Sequence, residues 1–405
     1  MSNILTFRPR NAMLALLVLW LIASAFYYVQ QLFAPSFYVG FDEGMLHKAV
    51  KYIVCILLGI YFCIAARAYG LLLFSVLLLL LAGFFAIDQG TLEIATVSIL
   101  VVGTMIPFIL VPSLWEDRML LIGRVIVLCG AGVGIFSIIE MTFLASLFAS
   151  TWASTGSIRS ISTLFNPNNL GLYVGVALVL LPYMRLKALL TALCGALLIF
   201  SLVVSGSRTA WVSLVVVMFY ALFFNADARR RIFGVFDRHL ILLLFTGVAL
   251  VITYTIYLTF STLPEIEVTN RGVDLYTASV RLSNFFSFLD LIDGSLLFPD
   301  TQGFRADFIQ DNFYLVVLNS FGVLGLLVFL AFFAAHFSFR RKPTPEWFPW
   351  KLVFLFYMVS GLSGSQLNSF PNNQLFFLSM GAVWIYRPAF RNSASSPPSF
   401  SKNLV

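Results

Sequence analysis

A dozen apolar stretches run from Ala12 to Arg387, and the short loops between them alternate between Lys/Arg-rich and Lys/Arg-poor. Only a membrane imposes both patterns on one chain. Within hydrocarbon every backbone polar group must be satisfied internally, so a spanning chain is helical or a closed barrel. Continuous apolar runs near twenty residues dictate helices, because barrel strands alternate every second residue over about ten. The chain is 60% hydrophobic and 11% charged, whereas a soluble domain carries roughly 25% charged residues. The expected fold is therefore all-α and polytopic, with about twelve transmembrane helices. The spans fall at 11–32, 46–66, 69–87, 91–111, 119–149, 167–184, 187–204, 209–225, 239–260, 312–338, 349–364 and 372–388.

The charge pattern sets an orientation. Of the 25 Lys and Arg residues, only Lys48, Lys51, Arg159, Arg208, Arg271, Arg281 and Arg305 fall in the outward segments if the N-terminus is inside. The positive-inside rule then places both termini in the cytoplasm. The net charge of +7 is spread over short juxtamembrane loops, which suits anionic headgroups and argues against nucleic acid as a partner. Cys55, Cys63, Cys129 and Cys194 all lie within spans, so no disulfide framework is implied. Arg8 and Arg10 before an apolar run, with Ala23-Ser24-Ala25 after, resemble a signal peptide. The run continues to Phe33, however, and its removal would leave an odd number of spans.

Residues 1–391 read as a single polytopic membrane domain, and the Ser/Pro-rich tail 392–405 as disordered and cytoplasmic. The exception among the short loops is the segment 261–310. Within it Leu282, Phe285, Phe286 and Leu289 follow the spacing of one helical face, which predicts an amphipathic helix near 277–294. Arg281 falls in its first turn, against the helix dipole, so a role other than helix stability is expected for it. No internal repeat is visible, which counts against a secondary transporter.

Four polar motifs lie on the Lys/Arg-poor side. Asp311-Asn312 is followed, after nine intervening residues, by Gly322-Val323-Leu324-Gly325. At 100° per residue Asp311, Leu315, Leu318, Gly322 and Gly325 would share one helix face, with a carboxylate at the outer surface and glycines admitting a neighbouring helix. Helix capping by Asp is the ordinary alternative. Ser205-Gly206-Ser207-Arg208 forms a small-residue turn whose exposed N–H groups and guanidinium suit phosphate; an interfacial anchor pair with Trp211 is the structural alternative. Asn166-Pro167-Asn168-Asn169 opens the sixth span after Arg159, where Asn as cap and Pro in the first turn explain much of the pattern. Gln366, Asn368, Asn372, Asn373 and Gln374 form a further amide-rich patch. Together these amides are expected to line one face with neutral hydrogen-bonding groups suited to sugar hydroxyls. Asp42-Glu43, with His47 four residues on, and Glu265-Ile266-Glu267 do not form a supported cluster of His and Cys ligands, so no metal is expected. Glu140 and Arg124 are the main ionisable groups within spans, and intramembrane charge is a functional candidate by default.

Taken together, these features resemble the O-antigen ligase and polymerase superfamily of bacterial polysaccharide assembly. Ser207-Arg208 matches that family's small-residue turn with Arg, Arg281 its loop Arg, and Leu164–Gly171 its Asn-rich helix start. Asp311-Asn312 before Gly322 and Gly325 matches its His-Asn pair before G-x-x-G, with Asp in place of His. The resemblance implies a multi-pass bacterial inner-membrane protein with a GT-C-like fold and a periplasmic active site. It also implies a metal-independent, inverting glycosyltransferase without cofactor, acting on an undecaprenyl-pyrophosphate-linked donor. In that reading Arg208 and Arg281 hold the leaving pyrophosphate and Asp311 orients the acceptor hydroxyl and accepts its proton. Asn312, Arg159, Asn168, Asn169, Arg305 and Asn368 are the expected substrate contacts.

The Asp-Asn pair resembles the polymerases more than the ligases, which carry His. The expected acceptor is therefore a second lipid-linked repeat unit, as in O-antigen, capsule or exopolysaccharide polymerisation, with a chain-length regulator as a candidate partner. Transfer to lipid A core, as in a ligase, is the alternative. A transporter or flippase is the second; it would lose transport when Glu140 or Arg124 is neutralised and tolerate changes at Asp311.

Overall fold

Proline and glycine decide where the apolar stretches start, bend and stop. The computed structural model describes residues 2–29, 45–89, 94–143, 159–164, 166–224, 312–336, 347–364 and 366–385. Helices α1 (Ser2–Ala25), α2 (Met45–Ala65) and α3 (Tyr69–Gln89) come first. Helix α4 (Ile94–Met105) passes through a 3-10 turn at Ile106–Leu110 into the four-residue α5 (Val111–Leu114). Pro107 and Pro112 each sit at the start of a new turn, where a missing N–H and a fixed φ are tolerated. Then follow α6 (Met119–Phe143), α7 (Pro167–Leu180), α8 (Ala188–Ser205), α9 (Arg208–Phe224), α10 (Phe313–His336), α11 (Phe348–Ser360) and α12 (Asn372–Ile385).

A helix occupies each expected span except 239–260, which lies outside the described residues, as do the loop 261–310, its helix near 277–294 and the tail 392–405. Five stretches are long and apolar enough to cross a membrane: Leu46–Ala65, Thr96–Leu114, Glu116–Phe143, Ala188–Ser205 and Phe313–Ala331. The chain is thus all-helical among its described residues, with the apolar helices of a membrane protein. Helices α7, α11 and α12 are buried on nearly every side and form the centre, as expected of helices that are apolar all round. The outer helices turn large apolar side chains outward, among them Leu57, Leu80, Val203 and Val328. Such a surface suits hydrocarbon and is a liability in water.

The fifth of these stretches is not one continuous rod. Gly322 has φ 69° and ψ −178° inside α10, a backbone region open to glycine. The rings of Phe313 and Phe329 are 5.1 Å apart, whereas a straight helix would separate their Cα atoms by about 24 Å. The chain therefore doubles back at Gly322. This corrects the expectation of a single span over 312–338 with Gly322 and Gly325 on the face of Leu315 and Leu318. The return arm packs Phe329 and Phe333 onto Phe313, Phe354 and Phe376. That aromatic cluster joins both arms of α10 to α11 and α12. Close packing, rather than hydrophobic transfer, is what holds helices together in hydrocarbon.

Candidate functional site

The polar motifs meet where helices end, and the connection begins at Glu140. This residue is 1% exposed, near the end of α6. Its carboxyl group accepts hydrogen bonds from Ser160 Oγ at 2.5 Å, Ile161 N at 3.2 Å and Ser162 N at 2.7 Å. The following residues fasten the same segment elsewhere. Ser162 Oγ donates to the Val133 carbonyl at 2.8 Å, and Thr163 Oγ1 to the Ala25 carbonyl at 2.7 Å. Residues 159–164 are non-helical and have no strand partner, so their buried backbone groups need such fixed acceptors and donors.

Arg159 starts this segment and bridges two helix ends. Its Nε donates to the Ser205 carbonyl at 2.8 Å and its Nη2 to Asn168 Oδ1 at 2.9 Å. A cation there complements the negative C-terminal end of α8. Gly206 closes α8 with φ +59°, the left-handed cap that favours glycine. A Cβ on Gly206 would also lie 3.1 Å from Arg159 Nε. The chain then turns through Ser207, buried against Gly171 of α7, and opens α9 with the exposed Arg208. Ser207 Oγ is buried without a hydrogen-bond partner.

Three further helix starts lie at the same end of the bundle. Asn166 caps α7 by accepting from Asn168 N at 2.7 Å, with Pro167 in the first turn, as the sequence predicts. Asn312 caps α10: its Oδ1 accepts from Tyr314 N at 2.9 Å and Leu315 N at 3.2 Å. The Asn312 Nδ2 donates to the Leu362 carbonyl at 3.2 Å, and Phe313 N to the Gly361 carbonyl at 2.9 Å. Thr209 Oγ1 of α9 and Ser363 Oγ lie 2.5 Å apart. Asn372, opening α12, donates through Nδ2 to the Asn169 carbonyl at 3.0 Å. The starts of α7, α9, α10 and α12 thus gather with the ends of α8 and α11. Each helix start carries roughly half a positive charge and each helix end roughly half a negative one; Arg159 offsets the end of α8, and Arg208 adds a full positive charge. The balance is positive and favours an anion.

The structure brings Arg159, Asn168, Asn169, Arg208, Asn312 and Asn368 to this end. Asp311, Arg281 and Arg305 lie outside the described residues. Within the group the roles divide. Asn312 has both ends of its amide committed to the fold, and Asn168 Oδ1 is held by Arg159. Arg208 and Asn368 are exposed.

The amide-rich patch differs from its expected role. Gln366, Asn372, Asn373 and Gln374 are buried instead of facing outward; the first three donate to backbone carbonyls, and Gln374 Nε2 donates to Cys55 Sγ at 3.7 Å. Gln366 Nε2 donates to the Tyr357 carbonyl at 3.0 Å and to Ser360 Oγ at 2.6 Å. Asn373 Nδ2 donates to the Leu367 carbonyl at 3.2 Å. The reason is burial: the connection from α11 to α12 is enclosed, so side-chain amides in place of water satisfy its polar groups. Arg124 has a similar duty, donating through Nε to the Met184 carbonyl at 2.8 Å. What the sequence did not reveal is that Glu140 organises the site segment; Ser160-Ile161-Ser162 carries no periodicity that marks it as the partner.

The chain matches no protein-family model and no curated protein.

Proposed function

We propose that this chain is a polysaccharide polymerase of the O-antigen ligase and polymerase type. It would transfer a glycan from undecaprenyl pyrophosphate to a hydroxyl of a second lipid-linked repeat unit. The observation that carries the reading is the gathering of four helix starts around Arg159 and the exposed Arg208. A leaving diphosphate needs such a concentration of positive potential, preorganised before charge develops. In the proposed step the bond from the anomeric carbon to the diphosphate oxygen breaks as the acceptor oxygen attacks from the opposite face. Asp311, immediately before the Asn312 cap, takes the hydroxyl proton; Arg208, with Arg281 from the long loop, takes the negative charge of the leaving group. Arg159 and Asn312 act as positioning residues, since their described bonds hold helix ends. Arg305, Asn168, Asn169 and Asn368 complete the glycan contacts.

The reading carries the finer architecture with it: about twelve helices in a GT-C-like arrangement, both termini cytoplasmic, and the site on the periplasmic face of a bacterial inner membrane. One observation favours a second reading, a transporter or flippase. Transporters use broken helices at depth, and α10 reverses at Gly322 just after Asn319 and Ser320, whose buried polar side-chain atoms have no partner.

Glycan length in cells distinguishes the readings. With protein levels matched, Arg208→Ala and Asp311→Asn are expected to reduce long polymer to single repeat units. Long polymer that forms but is not joined to lipid A core identifies a ligase. An unchanged glycan removes the support for transfer chemistry and turns attention to Gly322 and transport.

A further inference from the structure

The end of the bundle opposite the site carries a cluster of cations that the site does not use. Arg124 and Glu140 lie on the same helix, α6, about 24 Å apart along its axis. That spacing approaches the roughly 30 Å of a hydrocarbon core, so Arg124 belongs to the headgroup level of the far side.

The turn between α7 and α8 packs onto this end of α6. Arg124 Nε donates to the Met184 carbonyl at 2.8 Å. Met184 itself lies against Gly123, where a Cβ would come within 2.5 Å of its sulfur. On the other side Tyr183 meets Phe348 of α11 edge-on, with ring centroids 6.0 Å apart. The turn is thus fixed by two helices, and it holds Arg185 and Lys187 beside Arg124. Arg124 is half-buried, and the other two are exposed.

The stability of the fold does not account for three cations here. The negative end of α7 attracts one, and Arg124 supplies it. Arg185 has φ 52°, a left-handed conformation in which glycine is the usual cap and a side chain is strained. Lys187 immediately precedes α8, whose positive start disfavours a cation. Among the described residues no carboxylate pairs with any of the three; Asp117, before α6, is held by Arg118 at 3.3 Å.

The surface around the cations is apolar. Leu121, Arg124 and Leu128 share one face of α6 by their three- and four-residue spacing, and both leucines are exposed. On α8 Leu189 and Leu193, one turn apart, are exposed likewise. The two helices pack directly, with Leu198 of α8 against Gly130 of α6. A free phosphate would use the cations alone. A phospholipid uses the cations and the leucines together.

We propose that this corner binds an anionic phospholipid. Its phosphate rests against Arg185, Lys187 and the Arg124 N–H groups that Met184 does not engage, and its acyl chains run along the leucine faces of α6 and α8. A basic pocket between helices differs in this from scattered basic loops, which attract a charged leaflet without selecting a place on it. The inference is independent of the polymerase reading, because it uses no residue of that site.

The test places the full chain in phosphatidylcholine nanodiscs with a trace of phosphatidylglycerol carrying a photoactivatable acyl chain; the same label on phosphatidylcholine is the reference probe. Crosslinked peptides are mapped by mass spectrometry. The anionic probe is expected to label Leu121–Leu128 and Leu189–Leu193 in preference to the reference. Each basic residue at a headgroup contributes roughly five-fold to binding, so Arg185→Gln with Lys187→Gln should lower that preference by about ten-fold or more. Both residues are exposed, which spares the fold. Arg67→Gln with Arg118→Gln removes two charges at the same end and should leave the preference within about two-fold. Equal labelling by the two probes overturns the proposal. So does an equal loss in both double variants, which would reveal only the general field of the basic loops. Displacement of the anionic probe by excess inorganic phosphate assigns the cations to a free anion and overturns the lipid.

Discussion

Replacing Glu140 with alanine strands three donors at once. Ser160 Oγ, Ile161 N and Ser162 N all lose their acceptor, and at 1% exposure no bulk water replaces it. A buried donor left unsatisfied costs about 1–3 kcal/mol. Two backbone N–H groups and one hydroxyl give roughly 3–9 kcal/mol, or about 2–6 kcal/mol if the hydroxyl swings to another carbonyl. Glu140→Gln keeps one acceptor oxygen but turns an NH2 group toward donors, so about half that loss is expected. Ser160→Ala removes only one donor and should cost about 1 kcal/mol. The assay is unfolding free energy in mixed detergent–SDS micelles, with a double-mutant cycle on Glu140→Ala and Ser160→Ala; a coupling of about 1 kcal/mol is expected for residues in contact. Activity should fall with stability, because the 159–164 segment carries Arg159. A Glu140→Ala protein as stable as wild type, to within 1 kcal/mol or so, refutes the reasoning. Lost transport at full stability supports the transporter.

Substitutions at three other positions probe the same account. Gly206→Ala forces a Cβ into the left-handed region beside Arg159 and should lower stability by about 1–2 kcal/mol, measured in the same micelles. Asn312→Ala removes the cap of α10 and should cost about 1 kcal/mol or more, whereas Asn312→Asp, which keeps the accepting oxygen, should lose only the bond to Leu362; parallel unfolding curves separate them. Asn319→Leu removes two buried, unpartnered amide atoms and should be neutral or stabilising by about 1–2 kcal/mol. A large loss of glycan product with unchanged stability would instead give Asn319 a functional role.

Much of the fold was legible because hydrocarbon permits so few solutions. Long apolar runs had to be helices, and proline and asparagine at Asn166-Pro167 had to begin one. The meeting of the polar motifs was legible for the same reason: polar residues too numerous for a span collect where spans end. Less legible was which polar residues face outward. Gln366, Asn372 and Asn373 look like sugar contacts by composition, but they are buried and donate to the carbonyls of Tyr357, Asn169 and Leu367. Gly322 and Gly325 fit a smooth helix face by periodicity. Only the positive φ at Gly322 and the meeting of Phe313 with Phe329 show the reversal. Glu140 was conspicuous as a buried acid, yet its partners lie 20 to 22 residues away in an irregular segment, which no local pattern encodes.

The most direct measurement is polymerisation by the purified protein reconstituted with lipid-linked single repeat units and no other enzyme. The account predicts products of two and more repeats on one lipid, with release of undecaprenyl diphosphate in equal number to the bonds formed. Arg208→Ala, an exposed residue, should remove at least nine-tenths of that product, about 1.4 kcal/mol or more of lost transition-state stabilisation, while leaving the unfolding curve within about 0.5 kcal/mol of wild type. Wild-type protein that leaves every repeat unit single, while moving the intact lipid-linked unit between leaflets, contradicts the account.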